Sequence, residues 1–167
     1  MAAGDIISIA DIIITSAIGI WIASLVQNNI TKNRYLKEYY INELKDIGEC
    51  YKSFIKELYD GVLAAKDIKE WLKIMSGRIT TFNMFVHESY QIEDSLLLDK
   101  HSDMQQFITG SEEFNENYKE KTVVFQGSTK NDVLKKHSEV INVVMQRVID
   151  INSAKRKRKK KVTPTPK

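Results

Sequence analysis

The chain has 167 residues with only 7 Gly and 2 Pro, and both prolines fall in the last four positions, so no strong helix breaker interrupts the body. Its one cysteine, Cys50, excludes an internal disulfide and suits a reducing cytoplasm. The formal net charge of +3 hides a division: eight of the 25 basic residues lie in 155–167, leaving 17 against 22 acidic ones, a net of −5 for the rest of the chain. A taste for acidic partners is therefore a property of the tail and not of the body.

Residues 6–26 read IISIADIIITSAIGIWIASLV, with no Lys, Arg, Glu, Pro or Asn. As a helix this run is about 30 Å long, the thickness of a bilayer's hydrocarbon core, and the length predicts one membrane-spanning helix. A cleaved signal peptide would open on positive charge, but residues 1–5 carry none, so the run reads as an uncleaved anchor. A buried helix of a soluble domain is the alternative. Lys32, Arg34 and Lys37 come after the run and no basic side chain precedes it. Positive charge stays inside, which places the short N-terminus outside and the bulk of the chain in the cytoplasm, at the inner membrane. Trp21 falls near the inner interface.

One charge interrupts the run. On helical spacing Gly4, Ser8, Asp11, Thr15, Gly19 and Ala23 share a stripe on an otherwise Ile-rich helix. Small residues let helices approach closely and polar ones bond across the contact, so the stripe points to a homo-oligomer with this face inward, lining a narrow polar path in one version. In the plainer version Asp11 sits about two turns in and reaches water at the outer interface.

Beyond the polar stretch 27–31, Leu36, Tyr40, Leu44, Ile47, Tyr51, Phe54, Leu58 and Val62 recur at steps of three and four. That spacing predicts an amphipathic helix of about seven turns, ending at Asp60-Gly61 or running on to Lys66. Asp67 is placed to cap a second helix carrying Ile68, Trp71, Leu72, Met75, Ile79, Phe82, Val86 and Tyr90, with Ser76-Gly77 as a bend. Asp94 is placed to cap a third, through Leu97, Met104, Phe107 and Ile108. Gly110-Ser111 marks a break there, and Ser111 can cap a continuation through Phe114 and Tyr118. The stretch KTVVFQGS, 121–128, is β-branched at its centre but has no partner strand, so it reads as a loop with Val123, Val124 and Phe125 against the core. A hairpin, or a strand added by a neighbouring subunit, is the runner-up. Thr129 or Asn131 then caps a fourth helix, with Val133, Leu134, His137, Ile141, Val144, Val148 and Ile151 inward.

Four helices of similar length with short links predict an all-α, up-down-up-down antiparallel bundle over 27–154. That topology returns the chain to its starting end, where the polybasic tail Lys155, Arg156, Lys157, Arg158, Lys159, Lys160 and Lys161 begins. On a cytoplasmic membrane face each basic residue adds on the order of 1 kcal/mol of attraction to anionic headgroups. Non-specific contact with nucleic-acid phosphates is the second reading of the tail, and a solvated, disordered segment the third.

No residues suggest catalysis. There is no glycine-rich phosphate loop and no G-x-S-x-G turn, and His87, His101 and His137 lack second ligands at metal spacing. His137 lies on the apolar stripe of its helix and reads as a core histidine. Glu93, Asp94, Asp99 and Asp103 do not fit the calcium-loop pattern, and Glu112, Glu113, Glu116 and Glu120 read as an exposed helix face. The expectation is a non-enzymatic protein with no cofactor and no metal: a single-pass, self-associating anchor that recruits or responds to a cytosolic protein or ligand. The richness in Ile, Lys and Asn fits a bacterial source. In outline the layout resembles small membrane effectors of prokaryotic antiviral systems, in which a short anchor carries a cytosolic helical sensing domain. That resemblance implies the alternative function, a homo-oligomer that permeabilises the membrane.

Overall fold

The computed structural model describes residues 34–93, 95–119 and 122–154. These form five helices: α1 (Arg34–Asp60), α2 (Ala65–Tyr90), α3 (Leu96–Gly110), α4 (Glu112–Glu116) and α5 (Gly127–Ser153). The expected span at 6–26 lies outside the described residues. Among the described residues no helix is long and apolar enough to cross a membrane.

The apolar stripe of α1 is buried along its whole length, from Tyr40 through Leu44, Ile47 and Tyr51 to Leu58. The helix stops at Gly61, whose φ of +67° no side chain adopts cheaply. Two bonds close this end, Gly61 N–H to the Leu58 carbonyl and Val62 N–H to the Glu57 carbonyl, each 3.2 Å. This pairing is the Schellman arrangement that satisfies a helix's last carbonyls. The longer version of the helix, through Lys66, is thereby ruled out. Helix α2 starts before Asp67: Ala64 is the cap position, and Asp67 sits in the first turn, where its charge suits the positive helix end. Ser76-Gly77 does not interrupt the helix. At its far end Gln91 takes a left-handed conformation, φ 58°, and its N–H bonds the His87 carbonyl at 2.8 Å.

Contacts along the helices fix their directions. Near the start of α1 the Tyr40 ring meets Phe82 and Tyr90 of late α2 edge-on, and further along Phe54 stacks on Trp71 with ring centres 3.8 Å apart. Lys37 of α1 donates to the Asn152 carbonyl at the end of α5, and Lys130 of early α5 donates to the Tyr59 carbonyl, 2.9 Å. Lys100 of α3 pairs with Glu139 of α5 at 2.9 Å. Early α2 meets the turn after α4, where Lys69 lies over the Tyr118 ring, and Leu72 meets His101 of α3. Helix α1 is thus antiparallel to both α2 and α5, and the helices surround one continuous core.

The third position departs from the expected equal lengths. It is split into helices of 15 and 5 residues, because Ser111 is extended (φ −68°, ψ 152°). Ser111 does cap the shorter of the two: its Oγ accepts from Phe114 N–H at 3.3 Å. Moreover, α3 begins beside the middle of α1, where His101 meets Tyr51. Residues 122–126 form no strand; Val123 and Phe125 are buried, and Val123 N–H bonds the Leu63 carbonyl at 2.8 Å. Val124 faces out, 45% exposed, against the expectation that it tucks inward. Alternation in an extended segment explains this, since only every second side chain can face the core. Helix α5 begins at Gly127, ahead of Thr129 and Asn131, with Gln126 in the cap position.

Candidate functional site

The residues singled out from the sequence, Gly4, Ser8, Asp11, Thr15, Gly19 and Ala23 with Lys155 to Lys161, lie outside the described residues. The structure does place their points of attachment. The Lys37 bond to the Asn152 carbonyl holds the first turn of α1 beside the last turn of α5. Positions 34 and 154 therefore share one pole of the bundle. Lys37 is mostly buried there, and burial lowers the pKa of its ammonium. The buried Arg147 lies in the same region, with Nη1 3.2 Å from the Asp150 carboxylate. Burial lowers its pKa and Asp150 opposes the shift.

A shallow groove of about 220 Å³ runs between α1 and α2. Tyr39, Tyr40, Phe82 and Phe85 line it, and Glu43 and Arg78 bridge it at 2.6 Å. Of the tyrosines on α1, Tyr40 and Tyr51 are core, whereas Tyr35 (87% exposed) and Tyr39 (60%) face out. Ile74, Met84 and Phe85 of α2 are also exposed, so an uncovered apolar strip flanks the groove. Half-buried Cys50 accepts from Arg78 Nη1 at 3.4 Å.

Inside the bundle, Tyr51 and His101 are fully buried. His101 Nε2 lies 2.9 Å from the Leu72 carbonyl, which can only accept, so Nε2 carries the proton. Nδ1 is then the acceptor for the Tyr51 hydroxyl at 2.6 Å. Burial lowers the His101 pKa and raises that of Tyr51. Both ring nitrogens of His101 are bonded and no solvent reaches it or Tyr51, so the pair joins α1, α2 and α3 rather than offering a reactive atom. His137, the core histidine of the sequence reading, is buried with its ring 6.5 Å from that of Tyr51.

One open feature was not singled out from the sequence. It is a cleft of about 510 Å³ between α2 and the α3–α4 break. Lys69, Lys73 and Ser76 form its α2 wall and Gln105, Thr109 and Asn115 the other, over a floor of Leu72 and Phe114. Lys69 is held at the rim, its ammonium 4.6 Å from the centre of the Tyr118 ring. The sequence did carry a signal: Lys66, Lys69 and Lys73 recur at steps of three and four on one flank. The break that opens the cleft needs tertiary structure to be seen.

Of the acidic clusters, Asp99 accepts from Ser95 Oγ at 2.7 Å and Asp103 lies 3.8 Å from Lys100; Asp94 and Glu120 lie outside the described residues. Glu113 is not simply exposed: burial raises its pKa, but bonds from Thr129 and from the Glu113 and Gln126 backbone outweigh this and lower it. It thus ties α4 to the start of α5. Among the described residues no group of three or more His, Cys, Asp and Glu side chains is arranged to hold a metal ion. Comparison with protein-family models, with curated proteins and with solved structures finds no match to this chain.

Proposed function

We propose that the chain is a single-pass membrane anchor, N-terminus out and body in the cytoplasm at a bacterial inner membrane, that self-associates and presents its bundle to a cytosolic partner. The observation that carries this reading is the shared pole. The apolar run 6–26 precedes position 34 and the basic run 155–161 follows position 154, and both of these positions lie at the end pinned by Lys37 and Asn152. A bundle anchored by the first run has the second in reach of the same lipid surface, where anionic headgroups suit its charge. Self-association is supported by the small and polar stripe through Asp11, and by the exposed Tyr35 and Tyr39 on the first cytoplasmic helix. The deciding experiment is the native mass of the full chain in nanodiscs beside a chain beginning at Lys32. A defined oligomer for the first and a monomer for the second supports assembly through the span; two monomers refute it.

A second reading, membrane permeabilisation by the assembled spans, is favoured by one observation: a carboxylate, Asp11, stands within an apolar run of membrane length. In this reading Asp11→Ala and Gly19→Leu abolish dye or ion leakage from vesicles while the bundle stays folded. An anchor without a conducting path tolerates both.

A further inference from the structure

We propose that the cleft between α2 and the α3–α4 break binds a small organic phosphate, with Lys69 and Lys73 holding the phosphate group. The reading rests on the folded bundle and does not depend on the membrane assignment. At about 510 Å³ the cleft has the size of a small-molecule site. Its lining holds two lysines and four neutral hydrogen-bonding side chains, and no carboxylate. Lys69 and Lys73 stand four residues apart on one face of α2, so two ammonium groups can converge on one dianion. Among the described residues Lys73 is exposed and has no ion-pair partner, so its charge is available to an incoming anion. The Gln105 side chain likewise has no partner there. Asn115 donates its amide N–H groups to the Ser111 and Thr109 carbonyls, which leaves its Oδ1 to accept from a ligand.

These features select for chemistry. A monoanion leaves one lysine uncompensated, and inorganic phosphate alone leaves most of the volume empty. A phosphate monoester carries close to two charges at neutral pH and brings an organic body to fill the rest. The apolar floor of Leu72 and Phe114 takes the body, and Ser76, Gln105, Thr109 and Asn115 supply directional bonds to it.

The test is equilibrium dialysis of the full chain against labelled AMP, with inorganic phosphate and adenosine as competitors. The basic tail also attracts phosphates, so the full chain with residues 155–161 changed to Gln is measured in parallel. Saturable retention of AMP that phosphate displaces, and that survives the tail change, is the expected result. Lys69→Gln with Lys73→Gln should weaken it at least ~10-fold, the usual cost of losing charged contacts. Ser76→Phe should abolish it by filling the cleft while keeping both charges, with far-UV circular dichroism verifying that the helices remain. The proposal is overturned by absence of retention, by displacement with adenosine alone, by retention lost with the tail, or by retention unchanged in Ser76→Phe.

Discussion

His101 is neutral because of where the fold puts it. Unfolded, its imidazole titrates near the ordinary 6.5; folded, burial lowers that value. Between the two values the unfolded chain binds more protons, so stability is full above about pH 6.5 and falls as the pH drops toward the folded value. The thermal midpoint should therefore decrease from about pH 7.5 to about pH 5.5, and His101→Gln, which can keep both hydrogen bonds, should flatten that slope. Two glycines give opposite expectations. Gly61 has a φ of +67°, and a Cβ there would stand 3.1 Å from Val124 Cγ2, so Gly61→Ala should cost roughly 1–2 kcal/mol. Gly77 lies inside α2 with open space around it, and Gly77→Ala should stabilise by roughly 0.5–1 kcal/mol. Urea titration of both variants reads the difference. His137 was legible as a core residue from its place on an apolar stripe. His101 was not, because its bonding partners come from α1 and α2, 50 and 29 positions away in sequence.

At the scale of elements, periodicity was enough for the long helices α1, α2 and α5, whose buried positions are largely those on the three-four stripes. Their starts were less legible. A capping side chain was expected at Asp67 and at Thr129 or Asn131, whereas Ala64 and Gln126 occupy those cap positions without a side-chain bond. Packing of the apolar stripe against the core sets those starts, and local capping does not. The segment 122–126 is the clearest case of tertiary control. Its apolar centre resembles a strand, yet its backbone bonds the Leu63 carbonyl through Val123 and the Glu113 side chain through Gln126, and the buried Phe125 ring closes the core at that end. Phe125→Ala should cost about 3–5 kcal/mol while leaving the helical content of the folded state unchanged, as read from the unfolding midpoint and the far-UV spectrum.

For the whole molecule, composition and spacing made the all-α antiparallel plan readable, because short links between amphipathic helices leave few other arrangements. Unequal coverage by the third helix was not readable, since Gly110-Ser111 marks a break but gives no direction for the chain beyond it. The shared pole makes an electrostatic prediction. A chain beginning at Lys32 should float with vesicles rich in anionic lipid at low salt and dissociate as salt rises, and changing 155–161 to Gln should remove the binding. Retention on nucleic acid with the same salt dependence, and none on vesicles, would assign the tail to phosphate backbones instead.

The pole also sets a spacing. Helices α1 and α5 are each 27 residues, so the bundle is about 40 Å long and about two helix diameters, ~20–25 Å, across. A lone helix is only ~10–12 Å across. In the proposed anchored oligomer the bodies are about twice as wide as one helical stem, so stems that touch crowd the bodies at their membrane-side end. Bodies that lean outward like petals around the common stalk relieve that crowding. In the leaning arrangement the turn at 61–64 of one copy is far from that of the next, while the first turns of α1 are close. Crosslinks introduced at Tyr35 and at Val62 would then separate sharply, with Tyr35 joining copies and Val62 not.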